Sequence, residues 1–140
     1  MSNLKAHQEL IGKILHYLFD QGLRKSEINS DMADEFYKGT SLEGLGDFEV
    51  LSDVVDWMEH EGIISIANNF KAMGGAFSNY GVQLTSTGIS MIQQQTFAEL
   101  EDKTIEQEIE QSNGDISAEK YGKIGSLIGG FVGGLSQSFN

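Results

Sequence analysis

Residues 48–66, FEVLSDVVDWMEHEGIISI, decide how the chain is read. Val50, Leu51, Val54, Val55 and Met58 recur at the spacing of one buried helix face. Gly62 stands where a left-handed glycine ends a helix, and Ile63, Ile64 and Ile66 then open a β-branched run. The outward positions are Glu49, Ser52, Asp53, Asp56, Trp57, Glu59 and His60, and no Lys or Arg lies between Gly39 and Phe70. The stretch therefore predicts a helix that runs into a strand and carries an outer face of carboxylates around one tryptophan.

Towards the N-terminus, Leu10, Ile11, Ile14, Leu15, Leu18 and Phe19 predict a first helix, capped by Ser2 or Asn3 and ended by Gly22. Leu23 and Ile28 flank a short link suited to a small strand. Asn29, Ser30 or Asp31 caps a short second helix with Met32, Phe36 and Tyr37 inward, and Asp34 and Glu35 lie near its positive N-terminal end. Lys38–Asp47 holds three glycines and reads as a loop, with Asp47 as the cap of the helix that follows.

Towards the C-terminus, the connection from Ala67 to Gly81 is apolar for a loop, with Phe70, Met73, Phe77 and Tyr80 and a single cation, Lys71. Either these side chains tuck onto the core or they form a contact surface at a hairpin tip. Val82-Gln83-Leu84 is expected to pair back onto Ile63–Ile66. Ser86 or Thr87 then caps a fourth helix predicted to run to about Lys103, with Ile89, Ile92, Phe97 and Leu100 inward. Beyond it, Ile105 and Ile109 give one apolar residue per turn, the pattern of a half-exposed helix or of one paired with another chain.

The last segment predicts a helix capped by Asp115, with Ile124, Leu127, Ile128, Phe131 and Leu135 on one face and Gly125, Gly129 and Gly133 in a GxxxGxxxG row. Each helical glycine costs ~1 kcal/mol relative to alanine, so something must pack closely on this row to offset the loss. Self-association through Gly125, Gly129, Gly133, Leu127, Ile128 and Phe131 is the leading expectation; a flexible tail and shallow membrane association are the alternatives. The apolar run from Ile124 to Leu135 falls short of the ~20 residues that span a bilayer, so a membrane partner is not expected.

Hydrophobic residues make up 39% of the 140-residue chain, enough for one core plus an appendage and too much for a disordered chain. There is no cysteine, which excludes disulfides and thiolate metal sites. The first residues lack a basic segment followed by a long apolar core, so the expected location is cytoplasmic. Net charge is −12, and residues 26–70 hold eleven acids against Lys38 alone. Phosphate neutralisation by Lys and Arg carries most DNA affinity, so nucleic-acid binding through the third helix is not expected. His7, His16 and His60 lack metal-ligand spacing, and no GxSxG, P-loop or GxGxxG occurs. No catalytic residue, metal or cofactor is therefore assigned, and enzyme activity is not expected.

The succession of SDVVDWMEHEGIISI, a turn-rich gap and VQLTSTGISMI resembles the third helix, wing and following helix of the winged helix-turn-helix superfamily, as in small MarR-like or PadR-like regulators. The motifs are Glu59-His60-Glu61-Gly62 and Leu84-Thr85-Ser86-Thr87-Gly88, and the resemblance covers roughly residues 4–95. It implies a winged-helix domain, over residues 1–95, and with it a mainly α fold with a small β-hairpin; residues 96–140 lie beyond the resemblance and read from their own spacing as a helical extension that ends in a glycine-zipper helix. It also implies a dimer that lays its third helix in the major groove. Asp53, Asp56 and Trp57 depart from that use. The functional expectation is a non-enzymatic acidic winged-helix protein and homo-oligomer that acts through protein contacts, as a small regulator or an inhibitor of a basic, nucleic-acid-binding partner. Its predicted contact residues are Glu49, Asp53, Asp56, Trp57 and His60 on the acidic face and Phe70, Lys71, Met73, Phe77 and Tyr80 on the hairpin. The alternative is a DNA-binding transcriptional regulator that dimerises through its terminal helices and touches DNA with Lys5, Lys13, Arg24, Lys25 and Lys71. A membrane-surface adaptor anchored by residues 121–139 is a third, weaker reading.

Overall fold

Helix α1 (Asn3–Gln21) buries Leu10, Ile14, Leu15 and Leu18 completely or nearly so, and the other elements assemble around it. The computed structural model describes the backbone of residues 3–138 and the side chains of residues 3–130. After α1 come strand β1 (Ser26–Asn29), a short 3-10 turn over Ser30–Met32 and helix α2 (Ala33–Tyr37). The Asn29 side chain caps the turn by accepting from the Asp31 N–H at 2.9 Å. The loop after α2 is pinned by Glu9 of α1, which is only 2% exposed and accepts from the Ser41 N–H at 3.0 Å and the Ser41 hydroxyl at 2.8 Å.

Helix α3 spans Glu49–His60, with Leu51, Val54, Val55 and Met58 buried. Two of the free N–H groups at its start are satisfied from outside the helix: Asp47 accepts from Glu49 at 2.7 Å and the buried Tyr37 hydroxyl accepts from Leu51 at 3.0 Å. Burial pushes the Tyr37 phenol above its ordinary pKa, so it stays protonated. At the other end Gly62, with φ 78°, forms a Schellman turn in which Ile63 N donates to Met58 O and Gly62 N to Glu59 O.

Strands β2 (Ile64–Ser65), β3 (Asn68–Lys71) and β4 (Phe77–Leu84) follow. β4 is central to the sheet: β1 pairs along one edge, while β2 and β3 follow one another along the other, all antiparallel. The pairing of Val82–Leu84 with the run after Gly62 agrees with the sequence, as Ile64↔Leu84 and Ser65↔Gln83. The connection from Ala67 to Gly81, by contrast, is largely strand. Alternation hid it, because all four residues of β3 are exposed and only Phe77, Asn79, Val82 and Leu84 of β4 point inward.

Helix α4 (Ser86–Gln93) is capped by Thr85, one residue before the predicted caps, and it ends at Gln93 instead of running to Lys103. The apolar spacing explains the break. Phe97 lies five positions beyond Ile92, about 140° around a continuous helix, so one straight helix could not bury both on the same face. The chain forms instead a small hairpin of β5 (Thr96–Phe97) and β6 (Lys103–Thr104), which turns through left-handed Glu101 and Asp102. Helix α5 (Ile105–Gln111) then starts on a capping box between Thr104 and Gln107. Ile105 and Ile109 are buried in the chain's own core, so their narrow stripe needs no second chain.

The final helix, α6 (Ala118–Ser138), begins three residues after the predicted cap, with the Ser117 hydroxyl accepting from Lys120 N at 3.2 Å. It packs along α1, with Ile124, Leu127 and Ile128 in the same core as α1 and α3. The approach is close enough to need glycine on both helices. A Cβ on Gly12 would collide with the Tyr121 carbonyl, and one on Gly125 with the Gln8 carbonyl. Side-chain ties flank the seam: the Tyr121 hydroxyl lies 2.7 Å from His16 Nδ1, and His16 Nε2 lies 3.4 Å from Asp20. Burial first, and the Asp20 charge second, keep the Tyr121 phenol above its ordinary pKa, so it can donate to His16. The fold is thus mainly helical with a small antiparallel sheet, and residues 96–130 share its core.

Gly125→Leu should cost about 1–3 kcal/mol or more in a urea melt, because backbone must move, whereas Gly129→Ala, with open space around it, should stabilise by ~1 kcal/mol. Glu108 of α5 is buried, accepts from Lys120 Nζ at 2.5 Å and lies 3.7 Å from Lys103 Nζ; the Lys120 hydrogen bond holds its carboxyl below the usual range against the opposing effect of burial. Its stabilisation is complete above the unfolded carboxyl pKa of ~4.3 and is lost as pH falls through the lower folded-state value. Glu108→Gln should therefore cost about 2 kcal/mol at neutral pH and much less in strong acid, measured by urea unfolding across that range.

Candidate functional site

On α3, Glu49, Asp53, Asp56 and His60 follow one another at intervals of four, three and four residues, which aligns them in one stripe. Trp57 sits beside the stripe, half-buried, while Asp53, Glu59 and His60 are exposed. The acidic face predicted from the sequence is thus one continuous strip of helix surface. Ser52, expected to face outward, is buried.

The hairpin of β3 and β4 lies against one side of this strip. Lys71 Nζ is 2.9 Å from Asp56, and that hydrogen bond raises the lysine pKa. At the hairpin tip, a Cβ on Gly75 would touch both Glu49 and Phe48. The five predicted hairpin residues divide. Phe77 is 3% exposed and packs beneath Phe48, so it is core and not contact surface; its inward position on β4 is the reason. Phe70 and Tyr80 stack edge to face at 5.7 Å and remain exposed at 60% and 42%, and Met73 is almost fully exposed.

On its other side α3 borders a groove that α1 and α6 complete. The groove encloses about 240 Å³, and Leu4, Ile11, Val54, Trp57, Gly125 and Gly129 form its apolar lining. His7, Gln8 and Asp53 supply its polar groups, and Asp53 alone among them is a carboxylate. Two predicted patches that are ~70 residues apart in the chain, the Trp57 face and the glycine row, therefore meet in one depression.

The predicted self-association residues are distributed differently from the expectation. Leu127 and Ile128 are buried in the chain's own core and Gly125 grips α1, so these three are already occupied within the chain. Among the described residues Gly129 has no neighbour within 4 Å of a Cβ, and it opens into the groove. Phe131 and Gly133 lie outside the residues whose side chains are described.

Of the cations named for the DNA-binding alternative, Lys13 and Lys71 are engaged within the chain. Lys13 donates to the Lys38 carbonyl at 2.6 Å and to the Glu35 carbonyl at 3.4 Å, closing the end of α2, and burial lowers its pKa. Lys71 is engaged with Asp56, while Arg24 and Lys25 are exposed just past the C-terminal end of α1. Sequence reasoning missed the structural use of Lys13 and Lys71, and no local signal carries it, because both partners are distant in the chain.

Among the described residues no group of three or more His, Cys, Asp or Glu is placed to hold a metal ion, and no helix is long and apolar enough to cross a membrane. Comparison with known protein families, with curated proteins and with solved structures finds no match.

The Lys71–Asp56 pair is exposed on both sides, so solvent screens it. Lys71→Ala should cost less than ~1 kcal/mol in a thermal or urea melt while leaving Asp56 uncompensated on the strip.

Proposed function

We propose that the chain is a non-enzymatic winged-helix protein that acts through protein contacts, presenting the acidic strip of α3 to a basic partner. The observation that carries this reading is the strip itself: Glu49, Asp53, Asp56 and His60 aligned beside Trp57 on a helix without Lys or Arg. The hairpin cation nearest to it, Lys71, is bound to Asp56.

The order of elements supports the winged-helix part of the reading. A helix, a short strand, two helices and a hairpin follow one another in the chain, in keeping with the mainly α fold and small β-hairpin that the resemblance implies. The junction after α3 supports it as well. The Thr85 hydroxyl lies 2.5 Å from the Gly62 carbonyl and 3.0 Å from that of Ile63, and a Cβ on Gly88 would collide with the Ile63 carbonyl. The two quoted motifs, one ending at Gly62 and one running from Leu84 to Gly88, are thus two sides of a single contact.

Such a protein repels DNA at the helix that a DNA reader would use and attracts the cationic surface that binds DNA or RNA in another protein. This chemistry suits a small cytoplasmic regulator or inhibitor that occupies a basic surface.

Two titrations followed by fluorescence anisotropy test the reading. Labelled random-sequence duplex DNA at low salt should show no measurable binding; tight binding that weakens steeply with salt would overturn the proposal. Labelled oligolysine should bind, and Glu49→Lys/Asp53→Lys should weaken it at least tenfold more than Glu110→Lys/Asp115→Lys, a control with the same change of net charge. Equal losses in the two double variants would mean that bulk charge, not the α3 strip, attracts the cation.

A further inference from the structure

The groove between α1, α3 and α6 lies next to the acidic strip but differs from it in chemistry. Its floor is apolar, its walls are helices, and Asp53 stands on the α3 side where groove and strip meet. We propose that this groove is the docking site for an amphipathic basic helix of the partner protein. The helix would set aliphatic side chains against Trp57, Ile11 and Leu4 and turn its Lys and Arg residues towards Asp53 and the other carboxylates of α3. This inference rests on the acidic-face reading and adds to it the partner's secondary structure and the seat of its apolar face.

Shape supports a helix as the occupant. The seam between α1 and α6 is closed at Gly125, where the Gln8 carbonyl fills the space, and open one turn later at Gly129, where no atom of the described residues lies within 4 Å of a Cβ. A groove bounded by helices accepts the ridge of another helix, whose anchors fall at i, i+3 or i+4, and i+7. A volume of about 240 Å³ takes anchoring side chains and leaves the helix backbone above the surface. Leu4 is 64% exposed on the rim, an apolar side chain that such a ridge would cover.

Charge decides which helix. Asp53 is the one carboxylate among the described residues of the lining, and Glu49 and Glu59 on α3 and Glu61 just past its end extend the negative potential, with Asp56 shared with Lys71. An acidic helix would meet like charge along its whole length, and a purely apolar one would leave these carboxylates beside a low-dielectric contact. A second copy of this chain brings another net charge of −12 to the same surface, and its α6 already has Gly125, Leu127 and Ile128 packed internally. A basic amphipathic helix satisfies floor and rim together.

Trp57 is the chain's single tryptophan, so its emission reports on the groove directly. The experiment titrates the full chain with a labelled, tryptophan-free synthetic helix of Leu and Lys, with its Leu and Glu counterpart at identical Leu spacing, and with unstructured oligolysine. The Leu/Lys helix should shift Trp57 emission to the blue saturably, and it should bind at least tenfold more tightly than either comparison peptide. Gly129→Leu, which fills open space and spares the core, should weaken that binding at least tenfold without lowering the thermal midpoint. Asp53→Asn should weaken it less and flatten its salt dependence.

Binding of the Leu/Lys helix with unchanged Trp57 emission and no effect of Gly129→Leu would overturn the groove assignment and leave the acidic-face reading standing. Equal binding of the Leu/Glu helix would overturn the basic character of the occupant. Failure of both oligolysine and the Leu/Lys helix to bind would overturn both readings. Sedimentation of the free chain as a dimer that Gly129→Leu dissociates would identify a second copy as the occupant and overturn this one.

Discussion

The backbone contact between α1 and α6 is the constraint on which the C-terminal third depends. With Gly12 opposite the Tyr121 carbonyl and Gly125 opposite the Gln8 carbonyl, each helix contributes one residue without a side chain at the point where the other helix needs room. Glycines inside α6 weaken it as an isolated helix, and the close approach offsets that loss by burying Tyr121, Ile124, Leu127 and Ile128. The same contact fixes where the seam opens. One turn beyond Gly125 the helices leave space, and Trp57 from α3 forms another side of the resulting groove.

A chain of net charge −12 has few cations to place, and the fold places several of them inside its own architecture. Lys13 closes the last turn of α2, Lys103 and Lys120 converge on buried Glu108, and Lys71 holds the hairpin to Asp56. Each of these positions neutralises a local need of the fold and withdraws a positive charge from intermolecular use. Helix α3 itself carries no Lys or Arg, so of its carboxylates Asp56 has the Lys71 ammonium beside it while Glu49 and Asp53 stand on the exposed surface.

The junction after α3 links helix termination to sheet pairing. Gly62 takes the left-handed conformation that ends the helix, and the carbonyls that follow are met by the Thr85 hydroxyl and the Cβ-free Gly88 of the next helix. Ile64 and Ser65 pair with Leu84 and Gln83 immediately beside that contact, so register, helix end and helix start are set by one local arrangement. This coupling explains why a stretch of roughly forty residues, from Phe48 to Gly88, is legible as a unit.

The sequence by itself determined the elements whose signals are short in range. The spacing of Leu51, Val54, Val55 and Met58, the stop at Gly62, the pairing of Val82–Leu84 and the alignment of the α3 carboxylates all follow from periodicity and backbone preference within a few turns. The capping-box spacing of Thr104 and Gln107 and the slip in phase between Ile92 and Phe97 are local signals of the same kind, and they mark the start of α5 and the end of α4. Tertiary structure alone decided that Phe77 is core while Phe70, Met73 and Tyr80 stay exposed, that Gly125 grips α1, and that Gly129 and Trp57 line one groove. Their partners lie far apart in the chain, and a glycine row specifies that something must come close without specifying what. Only the packed three-dimensional arrangement supplies the second surface.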